Sequence, residues 1–295
     1  MPVIGCDDAE NDPNNINEGL YDLHVHTTAS DGIFTPEQVI SKAIEINLAG
    51  MAISDHDTVE GLITAEHYLK NHEIELDFMP AIEMNTELNG YEIHILGYDI
   101  DFSNQKLNQH LQDIKEARFE RARKMVKKLR NMGMMIDLAR VQEIAIEDLI
   151  ARPHIARALM EKRYVSSERE AFDKYIGKGR AGYVPRYKFE PETALALIKE
   201  GGGASILAHP GLIKNDKMVD IILEMGVEGL EVYYPEHNRS MISKYMELCR
   251  ERNLLVTGGS DFHGNTGNTH SHELGSCGIS IQLFNQLKGY INRKK

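Results

Sequence analysis

The sequence is poor in cysteine and has no long hydrophobic run. Cys6, Cys249 and Cys277 are scattered without CxxC spacing, which argues against a disulfide framework and fits a reducing cytoplasm. No stretch approaches the roughly 18 apolar residues that a membrane span needs. The first residues lack the basic and apolar regions of a secretory signal. We therefore expect a cytoplasmic protein that does not engage a membrane.

An excess of positive charge is also absent. The formal net charge is -12, so the chain as a whole does not resemble a nucleic-acid coat or a membrane-surface binder. Its 295 residues, 42% hydrophobic and 26% charged, are ordinary for a soluble globular protein with one large domain or two smaller ones.

Short apolar runs alternate with helical patterns along most of the chain, which is typical of βαβ units and a parallel sheet. Strands are predicted near 20–26, 51–54, 78–83, 92–97, 204–208, 228–233 and 254–258. Helices are predicted over 36–48 (with Thr35 as N-cap), 58–72, 191–202 and 238–253. The pattern predicts an α/β fold, a closed or nearly closed seven-stranded barrel.

The middle of the chain differs, because the strand signal fades from about 100 to 188. One long helix is predicted over 107–133, and two or three short helices broken at Pro153 follow over 146–176. We interpret 100–188 as a helical insertion that covers the substrate. The barrel then consists of 20–99 and 189–295, and 1–19 is a mobile lead-in.

The long predicted helix concentrates positive charge. Between positions 115 and 130 it carries eight Lys or Arg against Glu116 and Glu120. Either this is a solvated helix face, or it is a lid facing a phosphate on an otherwise acidic protein. The glycine-rich loop 177–186 adds Lys178, Arg180 and Arg186, which could wrap an anion.

The stretch YDLHVHTTASDG, residues 21–32, places two histidines two positions apart. In a strand, His24 and His26 share one face, while Leu23 and Val25 point into a core. Asp31 follows just beyond the strand. Two imidazoles and a carboxylate could chelate a metal, although a lone histidine at a strand end is more often structural.

The other predicted strands end in similar groups, and parallel barrels place their functional groups at the carboxyl ends of the strands. The candidate metal ligands are His24, His26, Asp31, His56, Glu83, His94, His209, Asp261 and His263. Imidazoles and carboxylates bind Zn, Mn and Fe, and this many ligands suit two or three ions bridged by Glu83. Such ions activate a water and clamp a phosphoryl group. The set therefore favours phosphate-ester hydrolysis, with Asp55 and Asp57 orienting the ligands.

The successive motifs also resemble a known family. DLHVHTTASDG, AISDHDT, AIEMN with EIHILGY, AHPG and GGSDFHG are similar to those of the PHP (polymerase and histidinol phosphatase) superfamily, over residues 20–265. RPHIARAL and GYVPR resemble its branch of nucleoside 3′,5′-bisphosphate phosphatases and RNase AM-type 5′–3′ exoribonucleases. The resemblance implies a distorted seven-stranded barrel, an inserted helical domain and a trinuclear metal site, often with Mn.

The resemblance further implies how the ligands divide among three ions. The first ion is expected on His24, His26, Glu83 and Asp261; the second on Asp31, His56 and His263; the third on Glu83, His94 and His209.

The insertion contributes two further candidates, Arg152 and His154, on either side of Pro153. A guanidinium there would hold a phosphate bidentately, and a neutral imidazole could bind phosphate or protonate the leaving oxygen. Helix capping by ARPH is the alternative. Arg180 and Arg186 are the other candidate phosphate ligands.

Together these features predict a metal-dependent phosphoesterase that uses a metal-activated water. The expected substrate is a nucleotide: a 3′,5′-bisphosphate that loses its 3′-phosphate, or short single-stranded 5′-phosphorylated RNA trimmed from its 5′ end. The expected cofactors are three divalent ions, with Mn favoured over Fe or Zn, and no stable protein partner is expected. The alternatives are a histidinol-phosphate phosphatase, a non-catalytic metal-binding regulatory module, and an organic-ester or amide hydrolase.

Overall fold

A computed structural model describes residues 19–145, 150–185, 189–264 and 272–295. The candidate phosphate ligand Arg186 and most of the predicted lead-in lie outside these residues. The strands within them are β1 (Tyr21–Val25), β2 (Gly50–Ile53), β3 (Asp77–Leu88), β4 (Tyr91–Tyr98), β5 (Ala204–Leu207), β6 (Gly229–Tyr233) and β7 (Leu255–Gly258).

The strands form one sheet in chain order. β1, β2 and β3 pair in parallel, as do β5, β6 and β7, whereas β4 is antiparallel to both β3 and β5. The sheet curls until Val25 pairs with Phe262, just after β7, and the His26 amide donates to the Phe262 carbonyl at 2.8 Å. The predicted α/β barrel is confirmed, with one difference: β4 runs opposite to the other strands.

The direction of β4 follows from a tight turn. Asn89 and Gly90 have φ angles of 50° and 82°, the conformation of a two-residue type I′ hairpin, and Leu88 pairs with Tyr91 across it. A parallel sheet was the wrong expectation at this point. The Asn-Gly pair between apolar runs was the sequence signal for the hairpin, and it also explains why β3 extends beyond the predicted 78–83.

Helices fill the connections between strands. They are α1 (Pro36–Glu45), α2 (Glu60–Asn71), α3 (Gln105–Asn131), α4 (Leu138–Ile144), α5 (Arg152–Glu161), α6 (Glu168–Ala171), α7 (Pro191–Glu200), α8 (Asp216–Glu224), α9 (Arg239–Arg252) and α10 (Ile281–Lys294). The Thr35 cap is as predicted, since its hydroxyl accepts from the Gln38 amide. Pro153 is the second residue of α5, where its missing N–H needs no partner; residues 146–149, which precede the predicted break, lie outside the described residues. Helices α4, α8 and α10 were not predicted.

The segment between β4 and β5 has a hydrophobic cluster of its own. Met125, Leu129, Ile155 and Leu159 belong to it. The first half of α3 packs on the barrel core instead, through residues such as Ile114, and so joins the two parts. The boundaries at 100 and 188 stay a prediction. Among the described residues, no helix combines the length and the apolar character needed to cross a bilayer.

Candidate metal centre and substrate cleft

Histidines and carboxylates from several strands meet at one end of the barrel. β1 supplies His24 and, one residue beyond its end, His26, and both are fully buried. The pleat of the strand turns Leu23 and Val25 into hydrophobic clusters on its other face. Asp31 follows in a tight turn. The alternation in DLHVH therefore produces the geometry that the sequence predicts.

β4 reaches the same end of the barrel because it is antiparallel. Its N-terminal half lies beside the carboxyl ends of its neighbours, so His94 faces Glu83 on β3. The His94 Nδ1 is 2.7 Å from the Glu83 Oε1. In a strictly parallel sheet His94 would lie further from this end.

The Glu83 carboxylate is at the centre of the cluster and is fully buried. Ring nitrogens of five histidines lie 2.7–3.3 Å from its oxygens: His24, His26, His56, His94 and His209. Asp261 approaches from the other side, with its Oδ1 3.4 Å from His24 Nε2 and 3.1 Å from His26 Nε2. A carboxylate so placed can bridge neighbouring ions.

Three groups of ligand atoms are compact enough to hold an ion each, since the atoms within a group lie within 4.8 Å of one another. The groups are His24, His26, Glu83 and Asp261; His26, Asp31, His56 and His263; and His56, Glu83 and His94. The first is the set that the resemblance implies for one ion. The second group adds His26 to the set implied for the second ion. The third group has His56 where the set implied for the third ion has His209. His209 nevertheless contacts Glu83, with its Nε2 3.0 Å from the Glu83 Oε1.

Hydrogen bonding tests whether these residues fit metal ions. The buried cluster atoms without a hydrogen-bond partner are His24 Nε2, His26 Nδ1 and Nε2, Asp31 Oδ1, His56 Nδ1 and Glu83 Oε2. An unsatisfied buried polar atom costs about 1–3 kcal/mol, so such a concentration calls for a ligand. Divalent ions would use these lone pairs, and the imidazole and carboxylate donors suit Mn, Fe or Zn.

The cluster is strongly polarised. Burial works to raise the pKa of Glu83, but His56, His94 and His24 hold it well below its usual value. Burial works to lower the pKa values of His94 and His263, yet Glu83 and Asp31, respectively, raise them to about 10. Both ring nitrogens of His94 lie within hydrogen-bonding distance of a carboxylate, Nδ1 of Glu83 at 2.7 Å and Nε2 of Glu92 at 3.1 Å. The ionised carboxylates thus demand positive charge at this site.

A buried carboxylate outside the ligand set fixes His24. Glu231 on β6 accepts from His24 Nδ1 at 2.8 Å and from the His209 amide at 2.7 Å. Because Nδ1 carries the proton, the Nε2 lone pair of His24 faces Glu83 and Asp261. Glu231 is not among the residues predicted from the sequence, where its only signal is a single acid inside the apolar run LEVYY.

Asp55 holds the loop that carries Asp31. It is buried and accepts from the Thr27 amide and the Thr27 hydroxyl, both at 2.7 Å, and from the Ser30 hydroxyl at 2.5 Å. These contacts match the orienting role expected of Asp55. Asp57 instead turns toward α3, where it pairs with Arg118.

A cleft of about 120 Å³ opens beside the cluster, between the barrel and the helices that follow β4. Its ionisable lining residues are Asp31, His56, Asp57, Glu92 and His94 from the barrel, and Arg118, Arg121 and Arg152 from the helices. Arg118 and Arg121 share one face of α3, one turn apart, and Arg121 donates to the Val184 carbonyl at 2.8 Å. Three guanidinium groups therefore lie close to the candidate metal ligands.

The arginines of the basic helix lie in two different environments. Arg118 and Arg121 face the cleft, whereas Arg123 pairs with Glu120 at 2.7 Å on an exposed surface. The charge pattern predicts the basic helix but does not single out these two arginines. Which face of a helix meets the barrel depends on tertiary packing.

The predicted residues of the insertion lie in different environments. The Arg152 guanidinium lines the cleft, 5.0 Å from the centre of the Phe172 ring. His154 is buried and its Nδ1 accepts from the Ala151 amide at 3.1 Å, which is a capping bond. Burial lowers the pKa of His154 to about 4, so its imidazole is neutral at pH 7. Arg180 is exposed and does not line the cleft.

Known proteins share both the sequence and the fold. The PHP domain model matches residues 22–200. The 5′–3′ exoribonuclease Rnm of Escherichia coli is 32% identical over 249 residues, 83% of this chain and 85% of that protein. The 3′,5′-nucleoside bisphosphate phosphatase of Chromobacterium violaceum is 31% identical over 281 residues, 92% of this chain and 98% of that protein. A solved Bifidobacterium adolescentis structure, assigned as a metal-dependent phosphoesterase, has a TM-score of 0.82 and 27% identity, covering 90% of this chain and 94% of that one.

Proposed function

The chain belongs to the PHP domain family, and on that premise we propose that it is a metal-dependent phosphoesterase acting on the 3′-phosphate ester of a nucleotide that also carries a 5′-phosphate. Nucleoside 3′,5′-bisphosphates and short 5′-phosphorylated RNA, trimmed from the 5′ end, both meet this description. Relatives named as a 5′–3′ exoribonuclease and as a 3′,5′-nucleoside bisphosphate phosphatase support it. The resemblance to the PHP superfamily is thereby confirmed.

The observation that carries the proposal is the position of Arg118, Arg121 and Arg152 across the cleft from His56 and His94. Such a cleft suits a substrate with two phosphates, one at the metal ligands and one at the guanidinium groups. Arg binds phosphate in a fixed fork through parallel N–H donors. Arg118 is paired with Asp57, so a substrate phosphate would compete with that carboxylate for it.

Three divalent ions, with Mn favoured, would be held by the nine candidate ligands, with Glu83 as the bridge. Bound there, they would supply Lewis acidity toward phosphoryl oxygens and lower the pKa of a water molecule. The side chains around them have separate tasks: Glu231 fixes the ring of His24, and Asp55 fixes the turn before Asp31. The arginines balance the negative charge of the substrate.

His154 makes no substrate contact in this proposal. Its Nδ1 accepts from the Ala151 amide, it is 2% exposed and it does not line the cleft, so helix capping fits it better than phosphate binding. A pKa near 4 leaves too little imidazolium at pH 7 for an efficient general acid. Protonation of the leaving oxygen by His154 is therefore not part of the proposal.

A comparison of two substrates tests the proposal. Adenosine 3′,5′-bisphosphate and adenosine 3′-monophosphate share the reacting ester and differ only in the 5′-phosphate. We expect kcat/KM with Mn²⁺ to be about 10- to 100-fold higher for the bisphosphate, the effect of one or two hydrogen bonds to a charged group. Arg121→Met should reduce this preference.

The matched control is Arg123→Met, which removes an arginine of the same helix that pairs with Glu120 outside the cleft. It should leave the preference unchanged. Equal kcat/KM for the two adenosine phosphates, or faster turnover of histidinol phosphate than of either, would contradict the nucleotide proposal.

A further inference from the structure

One arginine of α5 contacts the barrel without lining the cleft. Arg157 donates from Nη2 to the main-chain carbonyl of Asp31 at 3.2 Å, and from Nε to the Glu168 carboxylate at 2.9 Å. Glu168 begins α6 and is only 4% exposed, against 23% for Arg157. The guanidinium therefore connects α5 and α6 to the loop that carries a candidate metal ligand.

The loop around Asp31 has little freedom on its barrel side. The Ser30 and Gly32 amides both donate to the Thr27 carbonyl, at 3.1 and 2.9 Å. A Cβ atom on Gly32 would lie 2.8 Å from the His26 carbonyl oxygen, so only glycine fits there. Asp55 accepts hydrogen bonds from the first part of the same loop, whereas the carbonyl of Asp31 accepts its hydrogen bond from Arg157 of α5.

The position of the Asp31 carboxylate depends on the conformation of this loop. Its Oδ1 is 3.2 Å from His263 Nε2 and has no hydrogen-bond partner of its own. It belongs to the ligand group of His26, His56 and His263. A rotation of the Asp31 peptide would displace the carboxylate from that group.

We propose that Arg157, oriented by Glu168, is a positioning residue for this one metal group, so that binding of its ion depends on the docking of α5 and α6 against the barrel. The inference rests on the metal centre of the proposed function. The contact favours an arginine, because two nitrogens of one guanidinium each reach a different acceptor. A lysine has a single nitrogen and cannot reproduce this fixed fork.

The test is a measurement of Mn²⁺ binding, by electron paramagnetic resonance, to chelator-treated full-length protein. In Arg157→Lys, one class of bound ion should lose about 10- to 100-fold in affinity, as when an outer partner of a ligand is removed, while the remaining ions bind as in the wild type. Glu168→Gln, which keeps the shape of the side chain, should weaken the same class of ion.

The control is Arg140→Lys. Arg140 makes a similar double contact with Glu161, at 2.7 and 2.8 Å, but the pair is exposed and does not touch the Asp31 loop. Unchanged Mn²⁺ affinity in both Arg157→Lys and Glu168→Gln would overturn the proposal, as would an equal loss in Arg140→Lys.

Failure of the proposed function would give a different result. If the wild type binds Mn²⁺ but hydrolyses no nucleotide, the substrate assignment is wrong, and the affinity difference in Arg157→Lys still supports the positioning role. If the wild type binds no Mn²⁺, the metal centre and the positioning role are both overturned.

Discussion

Replacing Glu231 by glutamine should weaken metal binding by moving the ring proton of His24. In the native structure the two carboxylate oxygens accept from two donors, His24 Nδ1 and the His209 amide. Glutamine offers one oxygen to these donors. The His209 amide can only donate, so the carboxamide oxygen stays there and the NH₂ group faces His24. The His24 Nδ1 must then accept, which places the ring proton on Nε2.

That proton would occupy the position where a metal ion needs a lone pair. His24 Nε2 lies 3.3 Å from Glu83 and 3.4 Å from Asp261, within the compact ligand group. Metal binding would require the proton of His24 to return to Nδ1, where it would face the NH₂ group of the carboxamide instead of an acceptor. Removal of an outer partner of this kind weakens metal affinity about 10- to 100-fold, or about 1.4–2.7 kcal/mol.

The assay is isothermal titration of Mn²⁺ into chelator-treated protein. The control is Glu228→Gln, because Glu228 immediately precedes β6 and accepts from the Ser205 amide at 2.8 Å, away from the ligand cluster. It should bind Mn²⁺ as the wild type does. Wild-type affinity in Glu231→Gln, or an equal loss in Glu228→Gln, would refute the tautomer argument.

Three further predictions concern stability. Asp55→Ala should lower the free energy of unfolding, measured with urea, by about 3–5 kcal/mol. This is less than the sum of three charge-assisted bonds, because the Thr27 and Ser30 hydroxyls can reorient. A loss below about 1 kcal/mol would contradict this prediction. The pKa of His154 falls from 6.5 to about 4 on folding, so between these pH values the unfolded chain binds a proton at His154 and the folded protein does not. Stability should drop as the pH falls from 6.5 to 4, by up to about 3 kcal/mol. His154→Gln, whose amide oxygen can still accept from Ala151, should remove that part of the pH dependence in metal-free protein, and an unchanged profile would count against it. Finally, Mn²⁺ at 100 times its dissociation constant should stabilise the fold by about 2.7 kcal/mol, so thermal melts that are identical with Mn²⁺ and with chelator would argue against an ion in the cluster.

The sequence was sufficient for much of the barrel because its strands are short, apolar and bounded by clear breaks. The run AISDHDT illustrates this: a fully buried strand ends at Ile53, and Asp55, His56 and Asp57 follow after Ser54. Candidate ligands could be chosen because parallel strands deliver their ends to one edge. The direction of β4 was not foreseen, since the Asn89–Gly90 turn was overlooked.

The residues that the sequence could not assign are those whose role depends on long-range packing. Glu231 is 207 positions from His24, and nothing in its own strand indicates that contact. Arg118 and Arg121 are two of many basic residues on α3, and only the docking of that helix separates them from Arg123. Arg157 is within RPHIARAL, but its contact with Asp31 spans 126 positions.

The most direct test of the account is phosphate release from adenosine 3′,5′-bisphosphate in the presence of Mn²⁺, by the wild type and by His24→Ala. His24 is buried between Glu83, Asp261 and Glu231, so its loss should disable the cluster without altering the arginines of the cleft. We expect release of the 3′-phosphate by the wild type and at least a 100-fold loss of kcat/KM in the variant, about 2.7 kcal/mol. Absence of release by the Mn²⁺-loaded wild type, or equal release by His24→Ala, would contradict it.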